Sequence, residues 1–431
     1  MPLSVITPIL LLFGLLGAGA WVGLGLMGVG IGSLELFRNL PVDRILAQTV
    51  WNGLASPELL ALPLFILMAE LLFRSNFIGG LFHAIEPWVR RLPGGLLHTN
   101  ILGCTFFALI SGSSAATTSA IGKITLEELK QRGYPRSISM GSLAGAGTLG
   151  FLIPPSIIMI IYGVLSQTSV LKLFAAGIIP GVLLALLFMG YLVVYSWLRP
   201  FEVKAEKEPQ GSLWRERFTR LPTLLPFIIL MVSLLGSMYS GMASPSEAAA
   251  LAVVVTMGIM AVERTLSLRN VMDACMGTAR TVSMLGLIIA AASFLSTAMG
   301  YLGLPQQIAS QINALNLTPL QLIALLLVIY IALGCFLEGM SLIVMTLPIV
   351  LPLITAAGYD KVWFGVFLIV VVEMAQITPP VGMNIFVIQG LTGEKLGDVV
   401  KAAFPFFVLM IFFVLLLAVF PDIVMFLPSL L

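Results

Sequence analysis

The sequence predicts an all-α polytopic membrane protein built from two inverted-topology repeats, and three observations carry that prediction. Of its 431 residues, 59% are hydrophobic and only 10% charged, with a mean hydropathy of +1.07; soluble domains are about a quarter charged. An interrupted apolar pattern also occurs twice. Gly103-Cys104 leads through the break Ser111-Gly112-Ser113-Ser114 to Pro154-Pro155, and Gly334-Cys335 leads through Glu338-Gly339-Met340-Ser341 to Pro379-Pro380. Third, lysines and arginines crowd into one set of loops. Paired interrupted segments in two halves of a membrane protein point to a substrate and ion site of a secondary transporter.

A span needs about 20 apolar residues, so the chain has room for about ten transmembrane helices plus two re-entrant hairpins and two broken helices. Residues 3–31 read as the first span, since the stretch lacks a basic n-region and is too long for a leader. Apolar runs give spans at 57–73 and 77–89, and a hairpin at 95–129 has two arms that meet at Ser111 to Ser114. A helix at 137–165 is broken by Pro154-Pro155, since proline cannot continue a helical ladder. A span at 173–197 leads into the longest polar segment, 199–220, which is the midpoint linker. The second half repeats the order: spans at 221–239, 247–262 and 281–299, an amphipathic piece at 305–316, a hairpin at 319–357, a broken helix at 362–389 and a last span at 402–420.

Loop charge sets the orientation. With five crossings per half and both termini outside, 19 of the 22 Lys and Arg residues fall on the cytoplasmic side, and only Arg74, Lys172 and Lys361 lie outside. Five is odd, so the second half is inverted and the hairpins enter from opposite faces. The net charge of +2 carries no nucleic-acid signal. Cys104, Cys275 and Cys335 lack metal-ligand spacing and read as packing residues.

Unpaired backbone groups in hydrocarbon cost several kcal/mol each, so a non-helical break at membrane depth must be buried in protein or line a polar cavity. Its freed carbonyls can coordinate Na⁺. The first candidate sodium site comprises Ser111, Gly112, Ser113, Ser114, Gly145, Thr148 and Pro154, with Thr118 and Gly150 nearby; the second comprises Gly339, Ser341, Gln376, Thr378, Pro379 and Gly382, with Thr346 nearby. Ser114, Thr117, Pro155, Ser156, Pro380 and Asn384 are the candidate substrate contacts, because half-helix N-termini beyond each break offer amides to a carboxylate. Taken singly, a Ser/Gly stretch in a membrane helix is a packing surface; the repetition beside Pro-Pro favours a site. Glu70, Glu338 and Glu373 lie in apolar surroundings where carboxylates are costly, either as functional groups or as structural partners of a hydroxyl or Arg280. Pro180 and Pro348 read as kinks, and His83 and His98 as interfacial residues.

Several of these motifs together resemble the large membrane subunit of TRAP (tripartite ATP-independent periplasmic) transporters. They are Ser-Gly-Ser-Ser-Ala at 111–115, Pro-Pro-Ser at 154–156, Leu173-Phe174-Ala175-Ala176-Gly177 with Pro180-Gly181, Ser-Pro-Ser-Glu-Ala-Ala-Ala at 244–250, and Pro-Pro-Val-Gly-Met-Asn at 379–384. The likeness runs from Leu62-Pro63-Leu64-Phe65 to the final span. It implies an elevator of the bacterial inner membrane driven by inward Na⁺. Transport-domain segments 95–165 and 318–390 would move against scaffold segments 1–94, 166–220, 221–317 and 391–431. The implied partners are a separate small four-helix membrane subunit, a periplasmic substrate-binding protein, and an organic acid such as a C4-dicarboxylate or a sialic acid. The lipid bilayer is its medium, and no organic cofactor is implied.

Three other classes compete. A channel also uses polar breaks, but opposed hairpins favour alternating access. A standalone sodium- or proton-coupled carboxylate symporter or antiporter of related architecture is the alternative. An enzyme is disfavoured, since the sequence holds no nucleophile–base pair and no HExxH-like motif.

Overall fold

The computed structural model describes residues 7–431 apart from 9, 13, 16, 17, 76, 202–218, 304–306, 308, 309, 311–317, 336 and 381. Most of the linker and the amphipathic piece expected at 305–316 lie outside the described residues. The first half places α1 (Val22–Phe37), α2 (Val42–Leu54), α3 (Ala61–Leu72) and α4 (Phe77–Val89) ahead of a hairpin of α5 (Leu97–Ser111) and α6 (Ser114–Gln131). A broken helix of α7 (Arg136–Gly147) and α8 (Ile157–Ser166) follows, then α9 (Val170–Leu198). The second half runs through α10 (Pro222–Tyr239), α11 (Pro245–Val262) and α12 (Leu268–Tyr301). Its hairpin is α13 (Pro319–Gly334) and α14 (Gly339–Ala356), its broken helix α15 (Lys361–Ala375) and α16 (Met383–Thr392), and α17 (Leu396–Val419) closes the bundle. Among the described residues, six helices are long and apolar enough to cross a membrane: α9, α10, α11, α12, α14 and α17.

Local sequence sets the helix starts. Ser244-Pro-Ser-Glu and Thr318-Pro-Leu-Gln each form a capping box with proline at the first helical position, where its missing N–H is not needed. Asp360 caps α15 by accepting from the Val362 and Trp363 amides at 2.6 and 3.3 Å. A helix apolar all round has to lie inside, and α15 does: residues 362–375 are all buried. It is the central post of the molecule.

Four expectations need correction. Residues 3–31 do not form one span: a turn at Ala18-Gly19, with Gly19 at φ +81°, separates helical residues before it from α1. The amphipathic helix α2 sits where no element was expected, and α12 starts thirteen residues before the apolar run expected at 281. The fourth concerns α4, whose 13 residues give about 20 Å of rise against a hydrocarbon core of about 30 Å. It does not cross. Glu86 near its end pairs with Arg132 (2.9 Å) and Arg220 (3.3 Å).

These corrections move three charges. Glycines let α1 lie along α12: a Cβ on Gly23 would fall 2.9 Å from Leu287, and one on Gly30 2.6 Å from Phe294. The two helices therefore run parallel, and Leu34 packs on Phe294 and Ala298. That carries Arg38 and Arg44 to the C-terminal end of α12. Arg74 goes the other way, donating to the Asp273 carbonyl at 3.2 Å and pairing with Glu70, so it joins the basic N-terminal end of α12. The two hairpins enter the molecule from opposite ends.

Helix α17 grips the broken helices. A Cβ on Gly141 of α7 would collide with the Ala402 carbonyl oxygen, and one on Gly145 would collide with the Phe406 ring. Phe188 of α9 meets Phe406 edge-on at 5.4 Å, and Trp363 of α15 donates to the Leu417 carbonyl at 3.1 Å.

Candidate functional site

Eight helix ends converge where the breaks meet. The C-termini of α5, α7, α13 and α15 and the N-termini of α6, α8, α14 and α16 all lie at the hairpin tips and helix breaks. Bare carbonyls and partial negative charge therefore accumulate beside bare amides and partial positive charge.

Gly112 turns the first tip. At φ +53° it is left-handed, and a Cβ there would stand 3.1 Å from Ile157 at the start of α8; glycine satisfies both demands. Ser113 then caps α6 by accepting from the Ala116 amide at 3.4 Å, and Ser156 caps α8 through Met159 at the same distance. Gly150 presses its backbone on the tip: a Cβ would fall 2.7 Å from Ser114 Cα and 2.8 Å from Ser114 N.

Ser114 is the hub. Its hydroxyl lies 3.0 Å from the Gly147 carbonyl at the end of α7 and 2.8 Å from Glu373 Oε2 on α15, and it accepts from Asn384 Nδ2 on α16 at 2.8 Å. The other carboxylate oxygen of Glu373 accepts from the Phe151 amide, in the first break, at 2.7 Å. Ser114, Glu373 and Asn384 are all 0% exposed. Asn384 Oδ1 is buried without a hydrogen-bond partner, and no ion pair reaches Glu373 among the described residues. A buried carboxylate and an orphaned amide oxygen are each costly unless something fills their needs.

The second tip joins this centre from the other side. A Cβ on Gly339 would lie 2.7 Å from Val372, 3.0 Å from Gln376 Nε2 and 3.4 Å from the Phe151 ring. Glu338 caps α14, accepting from Met340 and Ser341 at 3.1 and 3.2 Å. In the second break, the Gln376 carbonyl accepts the Asn384 amide and the Thr378 carbonyl accepts the Gly382 amide, both at 3.0 Å. Both Pro-Pro bonds are cis. Pro154 and Pro155 are buried, whereas Pro379 and Pro380 are exposed.

The expected residues are thus partly gathered. Ser114, Asn384, Gly339 and Gln376 reach one centre, with Gly150 behind them. Ser111 bonds Thr117 (2.6 Å), Thr148 donates to the Gly145 carbonyl (2.6 Å), and Thr378 donates to the Met374 carbonyl (2.6 Å), so these hydroxyls are engaged locally. Ser341 stays beside Glu338 at 3.5 Å, and Gly145 faces Phe406. Glu70 pairs with Arg74 rather than Arg280. Gly147 and the Phe151 amide are members the sequence reading missed, and Glu373 was noticed there without being joined to a site.

A cavity of about 670 Å³ lies beyond the centre, between α2 and α12 on one side and the end of α8 and the middle of α14 on the other. Thr49, Asn52, Gln167, Ser293, Ser296 and Thr297 line it with neutral polar groups. Serines and threonines at 293, 296 and 297 fall on one face of a helix, a signal present in the sequence.

Apolar helices around a buried polar centre, with two hairpins whose tips meet there, define a multi-pass membrane protein, and its relatives are transporter permeases. The family model described as "Tripartite ATP-independent periplasmic transporter, DctM component" matches residues 9–423, and the chain belongs to that family. It is 34% identical over 387 residues to the C4-dicarboxylate TRAP transporter large permease protein DctM of Pseudomonas aeruginosa, covering 90% of each chain. It is 33% identical over 407 residues to the ectoine/5-hydroxyectoine TRAP transporter large permease protein UehC of Ruegeria pomeroyi, covering 94% of this chain and 93% of the other. The crystal structure of the Alcanivorax borkumensis YdaH transporter shares the fold, with a TM-score of 0.63 at 16% identity over 95% of this chain and 97% of that one.

Proposed function

We propose that the chain is the large permease of a sodium-coupled carrier that imports a small organic acid or zwitterion of the kind named for its relatives, delivered by a periplasmic binding protein and braced by a small membrane subunit. The observation that carries the sodium reading is the buried set of oxygens at the first tip, with Ser114 Oγ 3.0 Å from the Gly147 carbonyl and 2.8 Å from Glu373, and with the Oδ1 of the neighbouring Asn384 unpartnered. A hard cation is held by oxygens, and the donor set fits one. When bound, the ion supplies a positive charge that a substrate carboxylate can follow into the bilayer. The N-termini of α8 and α16 supply the amides that face such a carboxylate.

The moving body comprises at least α5 to α8 and α13 to α16, and the 670 Å³ cavity on its border with α2 and α12 favours sliding there over a fixed contact. The basic end of the molecule faces the cytoplasm. In proteoliposomes holding both membrane subunits, with the binding protein outside, uptake of its ligand should require an inward Na⁺ gradient. Uptake that persists in choline and follows a proton gradient instead overturns the sodium reading.

A further inference from the structure

Glu86 on α4 is shared by two arginines that lie far apart in the chain. Its Oε1 stands 2.9 Å from Arg132 Nη1, at the end of the first hairpin, and its Oε2 stands 3.3 Å from Arg220 Nη1, where the second half begins. Opposite charges this close favour the ionised carboxylate. The Glu86 and Arg132 side chains are 9% and 17% exposed, so water and salt screen their bridge only weakly. Arg132 is also tied to its own helix, with Nη2 2.6 Å from Glu128, which holds its guanidinium in place if α4 and α6 part.

Arg132 closes α6, part of the moving body described above, whereas Arg220 leads into α10, which the family resemblance assigns to the scaffold. Whichever body α4 follows, one of the two Glu86 bridges therefore spans the boundary between them. An apolar contact across the same boundary, Phe106 of α5 edge-on to Phe227 of α10 at 5.1 Å, can slip, because hydrophobic attraction has no direction. A hydrogen-bonded ion pair cannot slip: it is lost by about 3.6 Å. We propose, resting on the two-body reading, that Glu86 is an ionic latch. It fastens the first hairpin to the scaffold in the posture seen here, and its boundary-spanning bridge opens each time the bodies slide.

The test reads the posture directly, by spin-label distances in the full chain reconstituted in lipid nanodiscs. Labels go on cysteines at the exposed positions Ser137, at the start of α7, and Leu268, at the start of α12, in a background with Cys275 and Cys335 replaced by serine. Wild type should show one dominant separation, and Glu86→Gln should raise the ratio of a second separation to the first about fivefold or more, the scale of a charge-assisted hydrogen bond discounted for partial exposure. Of Arg132→Gln and Arg220→Gln, one should reproduce that shift and the other should not, since only one bridge crosses the boundary. Adding Glu86→Gln to the effective arginine variant should shift the ratio no further, because both changes remove the same contact. An ion pair that merely supports the fold would lower the melting temperature and leave the ratio in place. That result overturns the latch, as do equal shifts in both arginine variants or in neither. A single separation that stays fixed in every variant, in Na⁺ and in choline alike, overturns the two-body reading instead. Should Glu86→Gln not fold, the two arginine variants decide by the same criterion.

Discussion

At the scale of single residues, the centre depends on side chains that are missing as much as on those present. Gly150 lets two backbones touch, so Gly150→Ala must push the hairpin tip away from the break, because the nearest atoms, at 2.7 and 2.8 Å, are backbone that cannot rotate aside. Overpacking of that kind costs about 1–3 kcal/mol. The expected outcome is a lower melting temperature in detergent and loss of uptake. Gly190→Ala is the contrast, since its Cβ would meet nothing within 4 Å; a helix-interior Gly→Ala change should raise stability by up to about 1 kcal/mol. The sequence made the glycines, Ser114 and Asn384 visible through their repetition beside Pro-Pro. It did not show what Glu373 touches, because Ser114 lies 259 positions away and no local pattern encodes such a contact.

At the scale of elements, hairpins and broken helices were the most legible parts, because Gly-Ser and Pro-Pro breaks interrupt long apolar runs by backbone chemistry that leaves few alternatives. The errors arose where hydropathy alone had to decide. Gly and Ala at 17–20 carry no polarity to mark a turn inside the first apolar stretch, and α4 is as apolar as a true span while too short to be one. The start of α12 was hidden by Arg269, Asp273 and Arg280, charges that a helix tolerates once it leaves the hydrocarbon. The corrected order predicts a labelling pattern. In a background with Cys275 and Cys335 replaced by serine, cysteines at the exposed positions Arg44 and Lys172 should react with an impermeant thiol reagent in right-side-out vesicles, and one at Gln210 in the linker should not. Protection of Arg44→Cys with labelling of Lys172→Cys would restore the uncorrected path of the first 60 residues.

At the scale of the whole molecule, the proposed elevator would slide two bodies past each other while the buried centre stays sealed, and on that proposal the unequal exposure of the two Pro-Pro breaks marks one of two postures. The cavity beside α2 and α12 shows where contact is sparse. The opposite extreme is the seam at Gly141 and Gly145, where α17 meets α7 with no room for a single methyl group. A joint that tight transmits motion without slack, so in the proposed elevator α17 would travel with the moving part, where the family resemblance implied that residues 391–431 belong to the scaffold. It becomes a pointer on a dial. Spin labels on Phe420 at the C-terminal end of α17 and on Leu268 at the start of α12, both exposed, should change separation between Na⁺ and choline, whereas a fixed distance would make α17 part of the frame.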